Sequence, residues 1–145
     1  MVPHIALLLA LAAAPLVHGY PGKLGSCTRD ISASATIMGQ SVEASTAKTV
    51  QLTGQACGGT IVIGTAYSLT MGGAASNFVV DLSGTAAGTF ATKQTLDTTE
   101  VCEKRTTTSS DTVTFTAAGT AIFRMTTAPG YGTATTTENT CDYTV

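Results

Sequence analysis

The sequence predicts an all-β fold, an antiparallel β-sandwich of about seven or eight short strands. Three observations carry that prediction. Short runs with apolar residues at every second position recur along the chain, separated by Gly, Ser, Asn and Pro, and no stretch has the spacing of a long amphipathic helix. Threonine, β-branched and stiff at its first side-chain torsion, occurs 29 times in the 145 residues and favours strands. The four cysteines form an even set, as in small sheet proteins made in an oxidising compartment.

Residues 1–19 read as a secretory leader. They hold no acid, Lys or Arg and are apolar across 5–14. They end in Val17-His18-Gly19, with small or moderate side chains where a signal peptidase grips its substrate. A cut after Ala14 would set Pro15 just beyond the bond, so the expected cut follows Gly19. A cut after Val17 would instead expose His18 as the terminus, the opening of a copper-binding histidine brace. That site needs a second imidazole, and the other histidine, His4, lies inside the leader. The expected mature chain, 20–145, has no linker and no long repeat, and is read as a single domain. It has no second segment long enough to span a bilayer.

Taken in order, 32–47 alternates too weakly to place a strand, and Thr49–Leu52 is a short run. The strongest stretch is 60–71: Ile61, Val62 and Ile63, then Gly64 as a bulge or bend, then 66–71 up to a Gly72-Gly73 turn. Across 77–83, Phe78, Val80 and Leu82 share one face, and Val79 and Asp81 the other. Gly84 and Gly88 bracket a loop ahead of a short strand over 89–92, and 106–110 is a polar loop. Residues 111–117 alternate cleanly, with Val113, Phe115 and Ala117 inward. After Ala118-Gly119 the chain returns with Ala121, Phe123 and Met125 inward, and the two runs are read as a hairpin. Pro129-Gly130 turns again, and the closing strand carries Cys141, Tyr143 and Val145 on one face.

The interior is thinly supplied. Val, Ile, Leu and Phe make up 22 of the 126 expected mature residues, about 17%, a level at which disorder competes with folding. Low charge and abundant β-formers decide for a folded chain. Cys27, Cys57, Cys102 and Cys141 lie 30, 45 and 39 residues apart, with no C-x-x-C or Cys/His cluster to suggest zinc. Two disulfides follow, with three pairings open. Closing loops of roughly 75 to 85 residues contributes about 4 kcal/mol per bridge on a chain-entropy argument. That is a large part of the usual total of about 5–15 kcal/mol.

Without its leader the chain has no histidine, so neither a Ser-His-Asp nor a Cys-His site can be assembled. Asp97, Glu100 and Glu103 lie close together near Cys102 but lack the D-x-D-x-D-G spacing of a calcium loop. They and Lys104-Arg105 read as solvated surface rather than as paired catalytic carboxylates. No catalytic residue, cofactor or metal is predicted. The net charge of -2 gives no electrostatic reason to bind nucleic acid or an anionic membrane. With no Trp, Tyr20, Tyr67, Tyr131 and Tyr143 are the candidate aromatic platforms for a glycan. Tyr131, in Pro129-Gly130-Tyr131-Gly132, has the most loop-like setting and is the predicted ligand contact. Neither Asn77 nor Asn139 heads an N-x-[ST] sequon. The Thr-rich stretches 106–110 and 133–137 read as outward strand faces before O-glycan sites.

Several stretches also share an order with a known family. They are Tyr20-Pro21-Gly22 ahead of Cys27, Tyr67-Ser68-Leu69-Thr70 ahead of 77–84, and Cys102 ahead of a polar loop. Val113-Thr114-Phe115, Ala121-Ile122-Phe123-Arg124 and the Tyr131 loop follow. In that order the chain resembles a reeler (reelin-type) domain over nearly the whole expected mature length. It departs from the family between Arg29 and Met38, where the Pro-Gly-His stretch is missing. The resemblance implies an immunoglobulin-like β-sandwich and a Cys27–Cys102 bridge that leaves Cys57 for Cys141. It also implies adhesion, matrix or defence-type binding outside the cell, and it assigns no functional residue here.

The sequence thus predicts a secreted, non-enzymatic binding domain with an extracellular protein or glycan as partner. A structural component of a cell wall or extracellular coat is the second expectation. A carboxylate-dependent hydrolase is the third.

Overall fold

A computed structural model describes residues 27, 30–34, 36–37, 40–73, 77–92, 94–96, 100–108, 110–128 and 136–145. The expected leader with its cut after Gly19, the opening Tyr20-Pro21-Gly22, Asp97 and the expected Pro129-Gly130 turn with Tyr131 lie outside the described residues.

Everything regular in the described chain is β-structure. The strands are β1 (Thr36–Ile37), β2 (Gln40–Ala44), β3 (Thr49–Leu52), β4 (Ala66–Gly72), β5 (Asn77–Gly84) and β6 (Ala87–Phe90). They continue with β7 (Gln94–Leu96), β8 (Glu100–Cys102), β9 (Arg105–Thr106), β10 (Thr112–Ala117), β11 (Thr120–Ala128) and β12 (Thr136–Thr144). The larger sheet runs β1-β2-β12-β11-β5-β9, the smaller β3-β4-β10-β6, and β7 pairs with β8 in a separate ribbon. Neighbours are antiparallel except β2 and β12, which run parallel. The strand segments outnumber the seven or eight expected because several are only two or three residues long, and the weakly alternating 32–47 contributes β1 and β2.

The two larger sheets face each other across one apolar layer. Its centre is Phe123 on β11, whose ring meets Phe90 on β6, Phe115 on β10 and Tyr143 on β12 edge-on, at centroid distances of 6.2, 6.3 and 5.8 Å. Edge-to-face geometry sets the positive rim of one ring against the negative face of the next. Val50, Leu52, Leu69, Val80, Leu82 and Met125 fill the space around these rings. Period-two alternation explains the layer directly, since in β3 and β6 every second residue is buried and its neighbours are exposed.

The expected hairpin between 111–117 and Thr120–Ala128 is not formed. β10 pairs with β4 and β6, whereas β11 pairs with β5 and β12. Ala118-Gly119 therefore carries the chain over the core from one sheet to the other, and Phe115 and Phe123 meet across the sandwich instead of side by side. Gly119 exchanges both backbone hydrogen bonds with Val145, at 3.1 and 2.8 Å, which starts the β11–β12 pairing. Alternation fixes which face of a strand is buried and leaves its lateral neighbour open, so an arch and a hairpin share one pattern. Ala117, expected inward, is exposed, because the register against β6 shifts between Phe115 and Ala117.

Two further expectations move. Of 60–71, only the part from Ala66 is strand: Gly64 takes a positive φ of 79°, and Val62 and Ile63 are exposed in the loop before it. Gly88, expected to close a loop, is buried inside β6, two residues earlier than the strand read from the sequence. A side chain at Gly88 would press into the Phe115 ring and Leu82. The glycine thus lets the outermost strand of the smaller sheet approach the core.

Both disulfides are present, Cys27–Cys102 and Cys57–Cys141, with Cα–Cα distances of 5.3 and 5.2 Å. These are the pairs that the reeler resemblance implies. They close 75- and 84-residue separations, the range in which loop-closure entropy is large.

Two outcomes are expected. Gly88→Ala should destabilise the fold by about 1–3 kcal/mol through overpacking, read as a lower midpoint in urea with an unchanged slope. Reducing both bridges should remove several kcal/mol, so a thermal melt with excess reductant should begin tens of degrees lower or show no cooperative transition. An unchanged melt would show that the bridges are not what the thin core depends on.

Candidate functional site

Each surface of the sandwich can be judged by what already occupies its polar groups. The outer face of the larger sheet carries a row of paired charges. Arg105 on β9, Asp81 on β5 and Arg124 on β11 are register partners in one row, and Glu138 on β12 lies beside Arg124. Arg105 Nε donates to Asp81 Oδ1 at 2.8 Å, and Arg124 Nε donates to Glu138 Oε1 at 3.2 Å. Arg105 and Glu138 are buried, and charges withdrawn from water in this way need such partners.

A segment crosses this face. Ile31 packs on Val42 and Val79 in a second small apolar cluster, and its carbonyl accepts a hydrogen bond from Thr126 Oγ1 at 2.8 Å. Just ahead of it, Asp30 accepts the Ser32 amide at 2.8 Å. That bond, seconded by the Ser32 hydroxyl, holds the Asp30 carboxyl below its ordinary pKa. Ahead of it in sequence, Cys27 is bridged to Cys102 at the end of β8. Around Ile31 this face is covered, and its buried charges are paired.

The edges are closed as well. Amides along a bare edge strand invite pairing with another chain. On β3 the outward amides of Val50 and Leu52 donate to Asn139 Oδ1 (3.0 Å) and to the Tyr143 hydroxyl (2.9 Å). Both acceptors come from β12 of the opposite sheet. Asn139 Nδ2 then donates to the Ser45 carbonyl at 3.2 Å, and the Tyr143 hydroxyl to the Gln55 carbonyl at 3.3 Å. At the other edge the Phe90 amide of β6 donates to the Glu103 carbonyl at 2.9 Å. The edge strands of the larger sheet, β1 and β9, are two residues each.

The outer face of the smaller sheet is different in kind. None of the residues in β3, β4, β6 and β10 is charged. What faces outward is hydroxyl and methyl. Thr112, Thr114 and Thr116 run down β10, flanked by Ser68 and Thr70 on β4 and by Thr89 on β6. Thr49 and Gln51 extend the array onto β3, with Thr53 just past its end, and Ala66 and Ala87 fill two places with a bare methyl. Thr53 and Thr70 share a hydroxyl–hydroxyl bond of 2.6 Å across the strands. We take this face as the candidate site.

The residues singled out from the sequence fall elsewhere. Tyr131 lies outside the described residues, as does Tyr20. Tyr143 is not a platform: it is buried, ring in the core, hydroxyl on the β3 edge. Tyr67 is half-buried with its hydroxyl accepting the Val62 amide at 2.8 Å. Of the acid triplet, Glu103 is exposed, and the side chains of Asp97 and Glu100 lie outside the description. Asp111 is buried, its Oδ1 accepting the amides of Thr92 and Thr112 at 3.0 and 2.8 Å, which ties the end of β6 to the start of β10. Among the described residues no group of three or more His, Cys, Asp and Glu is placed to hold a metal ion. Among them also, no helix is long and apolar enough to cross a membrane. No protein-family model, curated protein or solved structure matches the chain.

Burial raises the Tyr143 pKa above its ordinary 10.0, the Leu52 hydrogen bond opposing the shift only in part. A group that holds its proton more tightly when folded contributes stability in full below the unfolded value. It loses that contribution as pH rises through the folded one. Tyr143→Phe should cost about 1–3 kcal/mol by leaving the Leu52 amide and Gln55 carbonyl unpaired, and should speed hydrogen exchange at Leu52. Above about pH 10 the wild type should lose stability faster than the variant, which measurement of denaturation midpoints against pH would check.

Proposed function

We propose that the protein is a secreted, non-enzymatic binding module whose contact surface is the outer face of β3, β4, β10 and β6. The observation that carries this reading is the segregation of charge between the sheets. The larger sheet holds Glu43, Asp81, Arg105, Arg124, Glu138 and Asp142; the smaller sheet has none. Solvent-facing sheet surfaces ordinarily carry charge, which keeps them soluble and hinders stacking. A regular, uncovered, uncharged face suits a neutral partner. Sites also sit most stably on strands, where the backbone holds side chains in register.

Export is supported by the leader-like pattern of 1–19 and by the two disulfides. An immunoglobulin-like, reeler-type affiliation is supported by two features: the early strand β2 runs parallel to the last strand, β12, and β4-β10-β6 packs against β12-β11-β5. A second reading, a structural component of a wall or coat, draws on the same neutral hydroxyl face, which would lie against its neighbours in the assembly.

The test introduces charge on the face without touching the core. Ser68 and Thr89 are exposed on either side of β10, and Thr140 is exposed on the opposite sheet. Against a panel of extracellular glycans and surface proteins, Ser68→Lys/Thr89→Lys should lower retention at least about tenfold, equivalent to about 1.4 kcal/mol. Thr140→Lys should leave retention unchanged, with all variants matching the wild type in thermal melts. Retention lost with Thr140→Lys and kept with the double variant would overturn the assignment of the face.

A further inference from the structure

We infer that the partner of this face is the surface of an insoluble, uncharged polysaccharide, held by hydroxyl and methyl contacts rather than by aromatic stacking. The inference rests on the proposal that the face is the contact surface, and it names the chemistry that the surface fits.

Charge excludes the first group of partners. Sulfated and uronate-rich glycans, phosphorylated ligands and anionic lipid surfaces are recognised by Arg and Lys, and the four strands contain neither. Cationic ligands fare no better, because the carboxylates of Asp81 and Glu138 belong to the other sheet and sit on arginines there.

Area and composition exclude the second. Four strands about 4.8 Å apart, of four to seven residues or roughly 14–24 Å each, offer roughly 300–400 Å². A specific protein–protein interface takes about 800 Å² from each partner and is anchored by Trp, Tyr or Arg. The aromatic residues of these strands, Tyr67, Phe90 and Phe115, are turned into the core or half-buried at its rim, so no anchor projects. A second copy of the chain would face the same shortfall.

What remains is a partner that is itself neutral, hydroxyl-bearing and extended. A threonine hydroxyl both donates and accepts, as sugar hydroxyls do. Its methyl, like those of Ala66 and Ala87, suits the C–H face of a sugar ring. Because threonine is stiff at its first torsion, little rotamer freedom is lost on contact. The sheet repeats these groups about every 4.8 Å across strands and about 6.8 Å along them, a two-dimensional lattice rather than a pocket. Each hydrogen bond adds only about 0.5–1.5 kcal/mol against water. A single short oligosaccharide, with no ring to stack on, is therefore held weakly, while an ordered polysaccharide surface engages many groups at once.

The experiment is co-sedimentation of the mature, oxidised protein with microcrystalline cellulose, chitin and insoluble β-1,3-glucan, in low salt and in about 1 M NaCl, where charge interactions are screened within a few ångströms. Retention on at least one of them is expected, changed less than about twofold by salt, and not competed by soluble oligosaccharides of the same sugar. Ser68→Lys/Thr89→Lys should reduce the bound fraction at least about tenfold, and Thr140→Lys should not. Absence of retention on all three solids, or retention that salt abolishes, overturns the polysaccharide inference. If a surface protein is then captured in a manner that Ser68→Lys/Thr89→Lys abolishes, the face remains the site and only its partner is wrong. Retention on polysaccharide that the double variant leaves intact overturns both.

Discussion

Three side chains on one face of β12 fasten the smaller sheet to the larger, and the rest of the architecture depends on that seam. Asn139, Cys141 and Tyr143 stand two residues apart, so the pleat turns all three inward. Asn139 takes the Val50 amide, Cys141 bonds to Cys57, and the Tyr143 hydroxyl takes the Leu52 amide and gives to Gln55. Backbone bonds from Gly58 to Asp142 and from Ile61 to Thr144 continue the seam along the end of the strand. A sandwich normally relies on its apolar interior to keep two sheets together. With so few large aliphatic side chains, this one supplements the interior with a covalent bond and directed hydrogen bonds between the layers.

That seam also sets what the surface is free to do. Once the β3 edge is satisfied from β12, and the β6 edge meets the chain at Glu103, the smaller sheet has no open row of amides. Charged side chains are the usual protection of an exposed sheet against pairing with other chains. Here closed edges supply the protection, and the face can dispense with charge. On the opposite sheet the charges do another task. Arg105, Asp81, Arg124 and Glu138 alternate in sign beneath the covering segment at Ile31, where unpaired groups would be costly.

Much of this was legible in the residues. β3 falls where its alternation places it, both faces of β5 are assigned correctly, and Cys141 and Tyr143 share the buried face of β12. Lateral neighbours were not legible. The alternation of 111–117 and Thr120–Ala128 looks the same whether the chain doubles back within a sheet or arches between two, and only the pairing partners distinguish them. Gly88 misled for a related reason: glycine usually marks a turn, and here it marks a close approach to the Phe115 ring. Tyr143 could be placed on a face, but it reads as a glycan platform rather than a tie between sheets, since nothing local to it names Leu52, which is 91 residues away in the chain. The candidate face was half legible: threonines were expected on outer faces, but that the uncharged strands would gather in one sheet depends on topology.

Threonine ties the thin core to the neutral surface. A strand residue that faces water must favour extended backbone, resist stacking and remain soluble, and the usual solution is a long charged side chain. Threonine meets the first requirement through its branched β-carbon and the third through its hydroxyl, but it gives up the second. A chain that uses threonine this heavily must therefore prevent association by other means, and the capped edge of β3 and the two-residue edge strands of the larger sheet are those means. The same choice lowers the contribution of the surface to specificity, because short hydroxyl side chains cannot reach around a ligand. Any discrimination by such a face must come from the spacing of its groups and the flatness of what it meets, and for that reason an extended neutral surface fits it better than a discrete molecule.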